Sequence, residues 1–204
     1  MTISISLIII IITALISFMA FQNNDQMEKL MMRPYMVTHY HQYYRFITSG
    51  FVHADTPHLI FNMLTLWFFG EFIEGVFEQL FQNKLMYVAY YILGIIVADI
   101  PSYIKNRNNQ YYASLGASGA ISGVVFTSIL IAPWQKIYVF AAIPLPAVIY
   151  GVLFLAGSAY MSRKGGSNVN HSAHFWGAIY GFVFPLIFHP ELGTYFIATL
   201  LHRQ

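Results

Sequence analysis

The sequence predicts an all-α membrane protein: a bundle of six transmembrane helices with a long first loop. Three observations carry that prediction. Only 9% of residues are charged and 57% are hydrophobic, whereas soluble domains are about one quarter charged. Mean hydropathy is +0.57. Apolar stretches of about 15–25 residues recur between short polar gaps, as needed to cross a hydrocarbon layer about 30 Å thick. The 204 residues fit one compact helical domain over 1–204. There are no cysteines, which excludes disulfides, a thiol nucleophile and thiolate metal sites. A formal net charge of +2 gives no reason to expect a nucleic-acid partner.

The first span is expected at Ile3–Phe21. No Lys or Arg precedes it, so it lacks the basic start of a cleavable signal and reads as a retained helix. The stretch Gln22–Pro57 mixes charge with several aromatics. It is too polar to span and too aromatic for a free linker, which places it in the interface, where Tyr rings are favoured. The second span is expected at His58–Phe77 and the third at Leu85–Ile104, with Asp99 and Pro101 near its end. Asp99 reads as an interfacial anchor or as a partner of Arg107 or Tyr112. A polar loop, KNRNNQYY, leads to the fourth span, Ser118 to Pro133-Trp134. The fifth is expected at Ile137–Ala159, softened by Pro144 and Pro146, and the sixth at His171–Phe188. The tail to Gln204 is short enough for one small surface helix.

The fourth span is too short. Ser118 to Pro133 covers about 22 Å at about 1.5 Å per residue, so Ser118 starts below one membrane surface and its preceding loop dips inward. Irregular backbone at that depth must be buried in protein or line a wet cavity. Polar residues inside spans usually face the bundle interior. His58 and Asn62 share a helix face at the start of the second span. His174, Gly177 and Gly181 share one on the sixth. Gly177 and Gly181, like Gly119 and Gly123 on the fourth, form a GxxxG pair that permits close backbone approach.

Spans two, four and six begin on the same side, so Ser118, His58, Asn62 and His174 gather at one membrane face. A neutral His can take the proton of a serine nucleophile. Helix N-terminal amides, the Asn62 amide and the His58 imidazole can supply donors to an oxyanion. With no carboxylate evident beside His174, the arrangement reads as a Ser-His dyad. Plainer readings stand beside this one. The glycines serve packing, each His could be helix glue, and Ser118 could bond a backbone carbonyl. Eight histidines suggest a metal protein, with His171 and His174 three apart and His39 and His41 two apart. But there is no HExxH and no carboxylate set to complete a site, so no metal is expected.

GASG (116–119), HLIFN (58–62) and AHFWGAIYG (173–181) resemble the rhomboid intramembrane serine proteases. The resemblance covers nearly the whole chain. It implies Ser118 as nucleophile, His174 as general base, and an oxyanion hole of His58, Asn62 and the Ser118 backbone N–H. It implies no cofactor. It also implies transmembrane protein substrates cleaved near the membrane surface, and an active site opening to the extracytoplasmic side of the cell (inner) membrane. Gly116, Gly119, Gly177 and Gly181 match structural motif positions. Tyr44-Arg45 resembles the first-loop Trp-Arg motif, with Tyr44 as a departure, and Glu74 matches a structural glutamate. Four residues after the nucleophile, where many rhomboids carry an aromatic that stacks on the histidine, this chain has Ser122. Either another ring takes over, or Ser122 orients His174 by a hydrogen bond. A helix-binding pseudoenzyme of the same fold is the alternative of a different class, and the intact Ser118 and His174 argue against it. With an inward N-terminus, the inner side carries Lys84, Lys136 and Arg203. The outer side carries Lys29, Arg33, Arg45, Lys105, Arg107, Arg163 and Lys164, which inverts the positive-inside rule.

Overall fold

The computed structural model describes residues 4–139, 142–167 and 169–201. Ile3 and Arg203 lie outside them. The chain is mostly helical: α1 (Ile5–Phe21), α2 (Asn24–Leu30), α3 (Pro34–Tyr40), α4 (Arg45–Thr48), α5 (Thr56–Phe81), α6 (Leu85–Asn106), α7 (Ser118–Ile131), α8 (Ala147–Lys164), α9 (His171–Phe188) and α10 (Glu191–Leu201). It is a multi-pass membrane protein. Among the described residues, α5 and α6 are long and apolar enough to cross a bilayer alone, and α9 with α10 would add a third span across a 117° bend. Helices stand within all six expected spans.

The fifth segment differs from expectation. Its first part is an antiparallel hairpin, β1 (Lys136–Val139) with β2 (Ile143–Pro146), and the helix starts only at Ala147. Pro144 and Pro146 have no N–H to give a helix, yet they fit a strand at a sheet edge. α5 starts earlier than expected, because Asp55 caps it by accepting from the His58 N–H at 2.7 Å and Pro57 suits its first turn, and it runs on past Phe77 to Phe81. The tail does form a helix, α10.

α7 is the central helix. Every residue from Gly119 to Leu130 is buried, as a helix apolar all round should be. Its 14 residues span only about 21 Å. It packs on α9 through glycines: a Cβ on Gly177 would overlap the Gly119 carbonyl, and one on Gly181 the Gly123 carbonyl. Thr127 Oγ1 donates to the Gly181 carbonyl (2.6 Å), and the Tyr90 hydroxyl bonds Thr127 Oγ1 (2.7 Å), so the polar atoms at this seam are satisfied. Beyond the seam, Tyr90 stacks on Tyr180 in an aromatic core shared with Phe77, Tyr87 and Phe184. Glu74, the expected structural glutamate, is buried on α5. It accepts from the Ile5 and Ser6 N–H groups (2.9 and 3.0 Å), which ties the N-terminus of α1 to α5.

The first loop is folded. Arg45 is buried and donates to the Glu28 and Met31 carbonyls (2.8 and 2.7 Å) and to Gln42 Oε1 (2.6 Å), which terminates α2 and anchors α4. The loop also grips the segment before α7. Met32 and Ser114 exchange backbone hydrogen bonds, and the Ser49 carbonyl accepts from the Gly116 N–H at 2.9 Å.

The seam makes a clear prediction. Gly181→Val should lower the thermal unfolding temperature in detergent, at a cost of at least about 1–3 kcal/mol, because backbone rather than a side chain blocks the new methyls. Gly75→Ala, where the added Cβ meets nothing within 4 Å, should be neutral or stabilising by up to about 1 kcal/mol. Equal behaviour of the two variants would show that close backbone approach at the seam does not hold the helices together.

Candidate active site

α7 presents Ser118 at its first helical position and α9 presents His174 one turn in. The seam brings both ends together: His174 Nε2 lies 2.8 Å from Ser118 Oγ. For the hydroxyl to donate, Nε2 must be the unprotonated nitrogen, which places the ring proton on Nδ1. The Phe154 ring of α8 lies roughly parallel to His174 with centroids 6.1 Å apart. Ser122 Oγ instead donates to the Ser118 carbonyl at 2.7 Å. Of the two expectations for Ser122, another ring does take the place beside the histidine.

Ser118 and His174 line a cavity of about 850 Å³ together with His58 and Asn62. The His58 ring packs against Gly116, where an added Cβ would sit 2.9 Å from Nε2. Gly116 has φ +112°, so glycine is required there on two grounds. One Asn62 amide N–H bonds the His58 carbonyl at 2.9 Å, and the group has a second donor. Ser118, Gly119 and Ala120 are in the first turn of α7, whose amides lack intrahelical acceptors. Donors, hydroxyl and imidazole thus surround one space.

Asp99 is not the interfacial anchor expected from its place near a span end. It is buried, with Ser49 Oγ at 3.3 Å and Asn170 Nδ2 at 3.5 Å from its two oxygens. The carboxylate is close enough to Tyr112 to oppose ionisation of that phenol, after burial. Among the described residues no group of three or more His, Asp or Glu side chains could hold a metal ion.

The family pattern of the Rhomboid domain matches residues 40–191. This chain belongs to the rhomboid family. It is 30% identical to RHOMBOID-like protein 12, mitochondrial, of Arabidopsis thaliana over 65% of this chain and 42% of that protein. It is also 30% identical to Rhomboid-like protein 11, chloroplastic, of the same plant over 73% of this chain and 54% of that one. Rhomboid protease GluP of Bacillus subtilis is 26% identical over 69% of this rhomboid and 25% of GluP. The chain spans about half or less of these relatives.

His53 is a residue the sequence reading missed. It is fully buried in the first loop of this rhomboid, edge-on to His58 with ring centroids 5.0 Å apart. Its Nε2 accepts from the Ala117 N–H (3.4 Å), which puts the proton on Nδ1, 2.9 Å from Ser17 Oγ; Ser17 in turn donates to the Phe51 carbonyl at 3.0 Å. One neutral imidazole therefore joins α1, the first loop and the residue before Ser118. The available signal was a second His five residues before His58, in a segment otherwise read as interfacial.

Burial, and after it the neighbouring His58, holds His53 down at about 3, against about 6.5 in an unfolded chain. The unfolded state therefore binds the extra proton first. Stability from His53 is complete above about 6.5 and is lost as pH falls towards 3. The fall in unfolding temperature between pH 7 and pH 4 should be smaller in His53→Leu than in the unsubstituted protein, measured as a difference between the two. Parallel curves would show that His53 does not titrate on unfolding.

Proposed function

We propose that this rhomboid is an intramembrane serine endopeptidase. The carrying observation is the 2.8 Å contact between His174 Nε2 and Ser118 Oγ inside the cavity. Ser118 Oγ attacks the carbonyl carbon of the scissile peptide while His174 Nε2 takes its proton. The oxyanion is met by the α7 N-terminal amides, the Asn62 amide and the His58 imidazole. His174 then protonates the departing amine, which leaves Ser118 acylated. Water, deprotonated by His174, releases the second product. The reaction needs no cofactor.

The substrates are transmembrane segments of other membrane proteins. Peptide bonds in an intact helix are internally hydrogen-bonded, so a substrate must deliver an unwound stretch to Ser118. Gly, Pro or polar residues near the end of its span supply that weakness. All six apolar helices cross the membrane as a single domain over 1–204, and the cavity opens to the extracytoplasmic side. Two of the seven cations that oppose this orientation are paired internally. Arg45 is bound to backbone carbonyls, and Arg33 is paired with Glu28.

Ser118→Ala and His174→Ala should each abolish cleavage of a model transmembrane substrate in liposomes, and the double variant should be no worse, because the two act as a unit. Labelling of Ser118 by a fluorophosphonate should fail in both. Asn62→Ala should lower kcat by about 10²–10³-fold with KM little changed. Binding of transmembrane segments without hydrolysis or labelling would instead favour a pseudoenzyme. Orientation is read separately. Asn109→Cys supplies the sole thiol, in the loop before α7, and an impermeant reagent should modify it in intact cells. Modification only after the membrane is breached would place the cavity on the cytoplasmic side.

A further inference from the structure

Asp99 sits on α6, which supplies neither member of the Ser118–His174 pair. A carboxyl group buried in a spanning helix is costly unless it is partnered, and here each oxygen meets a different segment. Oδ2 accepts from Ser49 Oγ (3.3 Å), while Oδ1 faces Asn170 Nδ2 (3.5 Å). One turn on, along the same face, Ser102 Oγ donates to Asn170 Oδ1 at 2.9 Å.

Both partners lead directly to the reacting atoms. The Ser49 carbonyl holds the Gly116 N–H at 2.9 Å, two residues before Ser118. Asn170 caps α9: its Oδ1 accepts from the Ala173 N–H (3.1 Å), and its backbone carbonyl from the His174 N–H (3.3 Å). We propose that Asp99 is a positioning residue that holds the turn before Ser118 and the first turn of α9 in fixed register, so that hydroxyl and imidazole meet at bonding distance. The glycine seam sets how closely the helices approach. Asp99 fixes the two ends that the seam leaves projecting beyond it, where each chain enters its helix and can slide or fray. The proposal rests on the hydrolase reading of the pair.

The test uses the full chain in liposomes with a model transmembrane substrate. Asp99→Ala should lower kcat by about ten- to a hundredfold, the size expected of a displacement of about 1 Å at the reacting atoms, with KM within about twofold. Asp99→Asn, of the same shape, can accept from Asn170 Nδ2 with its oxygen and donate its amide N–H to Ser49 Oγ, and should restore most of the loss. Ser49→Ala, which deletes one hydroxyl, should fall between them, and it decides the question if Asp99→Ala does not fold.

A second readout is independent of turnover. The ¹⁵N signal of the His174 ring, assigned by its loss in His174→Ala, reports the hydrogen bond that Ser118→Ala removes. Asp99→Ala and Ser49→Ala should move that signal towards its position in Ser118→Ala, and Asp99→Asn should not. If the unsubstituted protein neither cleaves nor labels, the hydrolase reading fails while the His174 signal still decides the positioning role. Unchanged kcat and an unchanged His174 signal in Asp99→Ala and Ser49→Ala would overturn the proposal. So would a loss of kcat that follows the unfolding temperature and is not restored by Asp99→Asn.

Discussion

Two helix backbones meet where Gly119 and Gly123 face Gly177 and Gly181, with carbonyl oxygens occupying the space a Cβ would need. Much of the structure depends on this approach. Ser118 directly precedes the first glycine of α7, and His174 stands three residues before the first glycine of α9. The distance between hydroxyl and imidazole is therefore inherited from the separation of the two backbones. In lipid, where apolar surface alone does not drive helices together, close packing of this kind is a principal source of association. The fully buried surroundings of α7 keep it in one place.

A short central helix creates a second constraint. α7 covers about 21 Å, and the chain entering it is irregular beside a fully buried helix, where backbone groups must find partners within the protein. The first loop supplies them. Ser114 pairs with Met32, Gly116 bonds the Ser49 carbonyl, and the Ala117 N–H bonds His53. The loop can do this because Arg45 has already fixed its own helices by binding carbonyls at the C-terminal end of α2. A chain of dependence runs from a buried guanidinium to the turn that presents Ser118.

The polar groups inside the bundle divide between two tasks. Glu74, Thr127 and Tyr90 satisfy one another or backbone atoms and join helices without lining the cavity. Ser118, His174, His58 and Asn62 border open space. Asp99 stands between these groups: it touches no cavity-facing reacting atom, yet its partners are the residues that seat them. Burial alone does not separate structural from reactive polar residues here. Facing the cavity does.

The sequence by itself determined that the chain is helical and membrane-embedded, because low charge and recurring apolar stretches are local properties. It also determined which residues could meet. Helical period put His58 with Asn62 and His174 with the glycines, and span order put all of them at one face beside Ser118. Membership of the rhomboid family was legible for the same reason, since its motifs are short and local. Other features were not legible. The paired strands β1 and β2 replaced the start of an expected span, because apolar strands and helices look alike over a few residues and two prolines decided the matter. His53 and Asp99 looked interfacial because their partners, Ser17 and Ala117 for one and Ser49 and Asn170 for the other, are 36 to 71 residues away in the chain. Only the tertiary structure could assign Phe154 to the histidine and leave Ser122 to the backbone. Side-chain partners across helices depend on rotation and depth, and those are set by packing of the whole bundle.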